Sequence, residues 1–517
     1  MNASTFLGTL AAQLPADPRA PALTAATPMA KSDDLAHMFE SAFQDGQWLV
    51  AAGPMIALAV GALLLLVADI ARPLRAMRPL FFLAGIGVSA ALLFGQFSNE
   101  PGLVLEGTLL ANRTTALWGI VFLLSTLLAW IYSLGYYRGE ESKLSGEHDF
   151  LMLVTPIGMM LMVGAQDLLI FFLGLELLSI PLYALAAFQR GRSASIEAGI
   201  KYFLLGTFAT GLLLYGTSLL YVGEGTLSIA ELTRMPPTSA ISLFGVALIA
   251  SSVFFKVSVF PFHLWVPDVY QGAPTPVTAL MATGTKAAAF GFLISAALLL
   301  PAQSATLVAV IALLTILVGN LGALMQEDLK RMLAYSGVAH AGTLLLVVGG
   351  LLASDSPDAT ANATNAALFY MGAYVFGATG AFGILALLEN DGARFTRLAS
   401  LRGLARSRPG AAAALALFML SLGGIPATGG FFGKWFVFSI LIEADMIGIA
   451  IAGALLSVVA LAYYLRVIIA LYMQPAPEGE LPPRTVRPLS AGVATLVCVA
   501  GTLLMGIMPS VVTRFLP

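Results

Sequence analysis

Runs of about twenty apolar residues recur along nearly the whole chain, and a helix of that length matches the hydrocarbon thickness of a bilayer. In hydrocarbon every backbone amide needs a partner within its own segment, so such runs are helices. Only 10% of the 517 residues are charged and 58% are hydrophobic, far outside the range of soluble domains. The expected fold is an all-α polytopic membrane protein. Apolar runs read against turn and charge clusters predict fourteen spans, beginning near Gln47, Pro79, Asn112, Asp149, Asp167, Ala198, Ala240, Pro276, Ala305, Met332, Asn365, Gly410, Met446 and Arg487.

The basic residues orient these spans. With the N-terminus outside, the inward connections hold Arg72, Arg75 and Arg78; Arg138 and Lys143; Arg190 and Arg192; Lys330 and Arg331; Arg394, Arg397, Arg402, Arg406 and Arg408; and Arg484 and Arg487. Those are sixteen of the 26 Lys and Arg residues, and the outward segments hold five. The positive-inside bias therefore favours fourteen helices with both termini on the outer side of the membrane. A net charge of −2 offers no basic face to nucleic acid. One cysteine, Cys498, cannot build a disulfide, zinc or iron-sulfur framework. Residues 1–46 carry four prolines among small residues, lack the basic start and long apolar core of a cleaved signal, and read as a weakly structured extension.

Two spans contain breaks. In Phe254-Phe255-Lys256-Val257-Ser258-Val259-Phe260-Pro261-Phe262-His263 a proline interrupts the seventh, and in Leu422-Gly423-Gly424-Ile425-Pro426-Ala427-Thr428-Gly429-Gly430-Phe431-Phe432-Gly433-Lys434 one proline and five glycines interrupt the twelfth. Irregular backbone at membrane depth is tolerated only inside protein or along a water-filled cavity. Corresponding interruptions five helices apart point to two inverted five-helix repeats, helices 4–8 and 9–13. The chain then divides into the extension 1–46, three leading helices in 47–148, a first repeat in 149–300, a second in 301–474, and an inward loop with the last helix in 475–517.

Three lysines and one glutamate lie within the spans: Lys256, Lys286, Lys434 and Glu176. Each such charge facing lipid costs roughly 2.5 to 3.5 kcal/mol on insertion scales, so they face protein or water. Their proton affinity there depends on the surroundings, which makes a proton path the leading reading. Glu176, mid-helix in Leu173-Gly174-Leu175-Glu176-Leu177-Leu178-Ser179, has Lys256 as its best partner. At about 4 Å and an effective dielectric near 20 that pair attracts by about 4 kcal/mol, so a small displacement releases or captures a proton. Lys286 lies halfway along its helix among small residues, with room for water or another helix. Lys434 stands beside the second break, with outward snorkelling as the bland alternative.

His263 and His340 have the intrinsic proton affinity to connect lysines through water, although a single histidine is more often structural. Lys201 follows Glu197 by four residues, so an ordinary helical pair is an equal reading. Lys330 and Tyr335 lie at the inward mouth, where Lys330 also satisfies the positive-inside rule. Arg466, below Tyr463 and Tyr464, reads as a packing residue.

At these segments the chain resembles the antiporter-like membrane subunits of respiratory complex I, from about residue 47 to 510. The most specific stretches are the Glu176 segment; Phe255 to His263 continuing through Trp265-Val266-Pro267-Asp268-Val269-Tyr270-Gln271-Gly272-Ala273-Pro274-Thr275-Pro276-Val277; Leu329 to His340; and Ile425 to Lys434. The Asp268-Val269-Tyr270 form, Lys286, and lysine after Gly433 fit the smallest of the three antiporter-like types. Residues 1–46 depart from the family pattern.

The resemblance implies that Glu176 and Lys256 form a charge pair, Lys286 is the central relay and Lys434 belongs to the outward half-channel. It implies that His263 bridges, and that Lys201, Lys330 and Tyr335 belong to the inward path. It further implies a proton-translocating subunit of NADH:quinone oxidoreductase in the bacterial inner membrane, surrounded by lipid and by neighbouring antiporter-like and small membrane subunits. FMN, iron-sulfur clusters and quinone are expected in partner subunits and no cofactor in this chain. Two other readings stay open: a subunit of a multisubunit cation/proton antiporter of the same fold, and a structural spacer, which the retained buried charges disfavour.

Overall fold

The computed structural model describes residues 47–97, 102–104, 107–137, 144–389, 396–476 and 489–517. The expected extension 1–46, and the basic residues Arg138, Lys143, Arg394, Arg484 and Arg487 used for orientation, lie outside the described residues. Residues from Leu49 to Pro517 form one unit. Its principal helices are α1 (Gln47–Ile70), α2 (Arg78–Gly95), α3 (Arg113–Tyr136), α4 (Gly146–Gly164), α5 (Leu168–Ala186), α6 (Ser193–Glu224), α7 (Ala240–Val257), α8 (Trp265–Gly272) and α9 (Thr275–Ser295). They continue with α10 (Ala305–Leu324), α11 (Leu329–Ala353), α12 (Ala359–Leu388), α13 (Pro409–Gly423), α14 (Gly429–Glu443), α15 (Ile447–Tyr472) and α16 (Leu489–Ile507).

Twelve helices among the described residues are long and apolar enough to cross a membrane. The two further spans read from the sequence fall on α4, which carries Glu147 and Asp149 in its first turn, and on the split pair α13 and α14. Polar caps set where several helices begin. Asn112 accepts from Thr115 N at 2.8 Å while Thr115 Oγ1 accepts from Asn112 N at 2.9 Å, satisfying amides that the helix cannot. Asp167 caps α5 and Asp328 caps α11 in the same manner. One element lies outside the all-α expectation: Gly102–Val104 (β1) pairs antiparallel with Leu109–Ala111 (β2). Three-residue strands are too short to leave a periodic signal.

The connections fall into two groups. Arg192, Asp268, Asp328, Glu389 and Arg397, from four connections expected on the inward side, line one vestibule. The alternate connections meet separately: Leu109 bridges Ala165, Asp167 bridges Ser228, and Arg113 donates to the Phe515 carbonyl at 3.2 Å.

At the centre stand α9, buried along its whole apolar window, and α11 and α12, nearly so. The periphery exposes large apolar side chains such as Leu63, Leu204, Phe208, Leu455 and Leu496, as a lipid-facing surface requires. Small residues bring neighbouring helices close. A Cβ on Gly158 of α4 would stand 2.3 Å from Leu178 N of α5, so only glycine permits that approach.

Both breaks appear where proline and glycine place them. α7 ends at Ser258, whose φ of 69° is left-handed, and a cis Phe260-Pro261 bond precedes α8. Gly424, with φ of 85°, ends α13, and α14 starts after Thr428. The freed backbone groups are satisfied by protein: Trp265 Nε1 donates to the Phe255 carbonyl at 3.0 Å, and Thr315 Oγ1 accepts from Phe260 N at 3.1 Å. At the second break Lys434 itself donates to the Gly423 carbonyl at 2.9 Å.

Candidate functional site

Lys286 lies midway along α9 and is 1% exposed. Its ammonium donates to the Gly337 carbonyl of α11 at 2.7 Å and lies 5.9 Å from the ring centroids of both Tyr270 and Tyr374. The two aromatic faces and one carbonyl are its polar surroundings in place of a carboxylate. Gly337 leaves room for this contact, because a Cβ there would stand 2.6 Å from Lys286 Nζ and displace the end of the lysine.

His340 follows Gly337 by three residues on α11, and its ring centroid is 4.9 Å from that of Tyr374. Its Nδ1 is 2.6 Å from the Tyr370 hydroxyl and its Nε2 is 3.1 Å from the Tyr464 hydroxyl, which also meets Ser336 Oγ at 2.5 Å. Both ring nitrogens therefore face hydroxyls that can donate or accept, an arrangement suited to passing a proton through the ring. A cavity of about 10 Å³, room for roughly one water, is lined by His340, Asn320, Thr343, Tyr463 and Lys434. Lys286, His340 and Lys434 thus belong to one polar cluster inside the helices.

Lys256, in the last turn of α7, is buried but forms no direct ion pair with Glu176. It lies 5.4 Å from the Tyr183 ring centroid and 5.3 Å from that of Tyr202, while Glu176 Oε1 accepts from Thr210 Oγ1 at 2.6 Å. The carboxylate acts on Lys256 and Tyr183 through space. Aromatic faces hold the lysine where the sequence suggested a carboxylate, a difference that follows from Tyr183 lying two turns after Glu176 on the same helix. His263 is buried in the break with Nδ1 unpartnered and touches neither Lys256 nor Lys286 through a hydrogen bond.

The residues expected on the inward side divide into an exposed and a buried set. Lys201 pairs with Glu197 at 2.7 Å and with Asp268 at 2.9 Å; Arg331 holds the other Asp268 oxygen at 2.6 Å. Lys330 is 2% exposed, donates to the Ala273 carbonyl at 2.8 Å and stands 3.8 Å from Glu389. Tyr335 is half-buried, with its ring against Gly322. Arg466 donates to the Leu324 carbonyl at 2.9 Å and to that of Gln326, which fits the packing role.

Sequence reading missed Glu389, Gly337 and the buried tyrosines Tyr270, Tyr370 and Tyr374. Tyrosine in mid-span, away from the membrane interface where it is usually found, was an available signal for Tyr370 and Tyr374, whereas Tyr270 lies in the short helix after the first break. Among the described residues no group of three or more His, Cys, Asp or Glu is placed to hold a metal ion.

A family described as NADH:quinone oxidoreductase/Mrp antiporter, TM, matches residues 165–460. The chain is 39% identical over 473 residues to NADH-quinone oxidoreductase subunit N of Trichlorobacter lovleyi, covering 89% of this chain and 95% of that one. It is 40% identical over 471 residues to NADH-quinone oxidoreductase subunit N 1 of Chloroherpeton thalassium, covering 89% and 96%. A chain in the structure of respiratory complex I from Thermus thermophilus with bound aureothin superposes with a TM-score of 0.76 at 32% identity, covering 89% of this chain and 98% of that one. A chain of the Mrp complex from Dietzia sp. has a TM-score of 0.74 at 21% identity, covering 90% and 96%, a likeness of fold.

Proposed function

The chain belongs to the NADH-quinone oxidoreductase subunit N family, and from that membership we propose that it is a non-redox subunit moving protons through buried lysine relays. It is a multi-pass membrane protein of a bacterial respiratory complex and works within a hetero-oligomeric membrane assembly. The observation that carries the relay reading is the polar cluster joining Lys286, Tyr374, His340 and Lys434 inside otherwise apolar helices.

In this reading Lys286 is the central store. Its ammonium is held by the Gly337 carbonyl and two ring faces, none of which can take its proton. The proton leaves only when a water or hydroxyl reaches Nζ. His340, between the Tyr370 and Tyr464 hydroxyls, accepts on one nitrogen and releases from the other, and Lys434 receives across the one-water cavity. Lys256 and Glu176 form the loosely coupled second element: motion of Tyr183 changes how strongly each feels the other. His263 joins the two lysines through water, and Lys330 and Lys201 lie towards the inward mouth. We read the broken pairs α7/α8 and α13/α14 as equivalent positions of two inverted repeats, with both termini on the outer side.

Electron transfer takes place on flavin, iron-sulfur clusters and quinone in partner subunits, and neighbouring antiporter-like and small membrane subunits flank this one. Purification of the tagged chain tests the assignment. Co-purification of NADH-oxidising and quinone-binding subunits is expected; recovery with cation/proton exchanger subunits alone contradicts it.

A further inference from the structure

We propose that Glu389 is the carboxylate that loads protons from the inward vestibule onto Lys330. The step rests on the proton-translocating reading and adds an entry site to it.

Lys330 is 2% exposed, so a proton reaches it only through a neighbouring group. Within 4 Å it meets the Ala273 carbonyl, to which it donates at 2.8 Å, and Glu389, whose Oε2 is 3.8 Å away; the Asp328 carboxylate faces it from further off. A peptide carbonyl cannot take up and pass on a proton in water, whereas a carboxylate can. Glu389 is also placed to face both ways. Its side chain, 7% exposed, lies at the wall of a cavity of about 470 Å³ whose lining includes Arg192, Lys201, Asp268 and Arg397. Oε1 accepts from Arg192 Nη1 at 3.3 Å, on the vestibule side, while Oε2 accepts from the hydroxyl of Thr275, in the first turn of the helix that carries Lys286.

The Glu389 to Lys330 separation is the telling distance. At 3.8 Å it is an ion pair without a hydrogen bond, and in the proposed step a side-chain rotation closes the gap. The other groups facing this carboxylate are Arg192, itself 41% exposed and donating to the Tyr136 hydroxyl at 3.0 Å, and Tyr136 and Tyr137, while Asp328 faces Lys330. When Arg192 swings into the vestibule, Oε1 is left facing vestibule solvent, the route by which a proton is loaded onto the carboxylate. Rotation towards a neutral Lys330 amine then transfers that proton from Oε2 to Nζ, leaving carboxylate and ammonium. From Lys330 to Gly337, the carbonyl that holds Lys286, is seven residues of α11, or about 10 Å along its axis.

The test uses the whole membrane complex in sealed vesicles, driven by NADH and a short-chain quinone. Glu389→Gln is expected to assemble and to slow proton translocation about a hundredfold or more, the range of a lost general acid-base group. Glu389→Asp, which keeps a titratable carboxyl, is expected to recover at least half of the wild-type rate; equal loss in both makes Glu389 structural and overturns the proposal. Should Glu389→Gln fail to assemble, Lys330→Gln removes the recipient, and normal translocation in that variant overturns the proposal equally. Lys286→Ala serves as the reference. If it stops translocation while Glu389→Gln does not, the entry site is wrong and the relay stands; if neither matters, the relay reading itself fails.

Discussion

The Lys286 ammonium and the Gly337 carbonyl, 2.7 Å apart across α9 and α11, join the two most buried long apolar helices among the described residues through a charge. The carbonyl already belongs to the α11 ladder and uses its second lone pair for the lysine. Gly337 is thus part of the site although it carries no side chain.

Gly337→Ala tests that relationship. A Cβ there meets Nζ at 2.6 Å, so the lysine end has to move. Overpacking of this kind costs about 1 to 3 kcal/mol, which the assembled helices absorb while the lysine loses its seat. Normal amounts of assembled complex with proton translocation reduced several-fold are expected, read by dye quenching in vesicles beside native-gel quantitation.

The rings around Lys256 give a second prediction. Tyr202 lies over the ammonium by its face, and its hydroxyl has no partner among the described residues. Tyr202→Phe keeps the face and is expected to leave coupled NADH-quinone activity within about twofold. Tyr202→Leu removes a desolvated cation–π contact of roughly 2 kcal/mol and is expected to slow it clearly. Equal activity in the two variants excludes the ring face as the relevant contact.

Glu176→Ala addresses the through-space coupling. The variant loses the carboxylate and its bond from Thr210 but no direct ion pair, so assembly is preserved and translocation impaired. Unchanged proton translocation, measured with assembled complex, removes Glu176 from the relay.

Lys201 behaves differently. It is about two-fifths exposed and shared by Glu197 and Asp268, and solvent-screened pairs of this kind contribute little. Lys201→Ala is therefore expected to lower translocation by no more than about threefold, with a smaller difference at high salt as screening weakens the wild-type pairs. A loss as deep as that of Lys286→Ala moves Lys201 into the obligatory path.

Much of this was legible in the chain because membranes penalise charge and broken backbone so strongly. Lys256, Lys286 and Lys434 stand out in apolar runs, and the prolines and glycines beside two of them mark where α7 and α13 end. Glu389 was hidden for the opposite reason. It closes an apolar helix just before Asn390 and Asp391, where an acidic residue looks like an ordinary loop, and its burial depends on Arg192, 197 residues earlier. Gly337 looks like any small helical residue until Lys286 is placed opposite it. The Glu176 to Lys256 contact was overstated because opposite charges suggest direct pairing, whereas the rings of Tyr183 and Tyr202 supply what the lysine needs.

The most direct test of the relay is the proton-to-electron stoichiometry of assembled complex carrying Lys286→Arg. Arginine keeps the positive charge and can donate to Gly337, but it does not give up a proton in proteins. The relay account predicts a lowered stoichiometry, or coupled activity that stops as it does in Lys286→Ala. A normal stoichiometry at normal rate shows that Lys286 serves only as a fixed charge and contradicts the account.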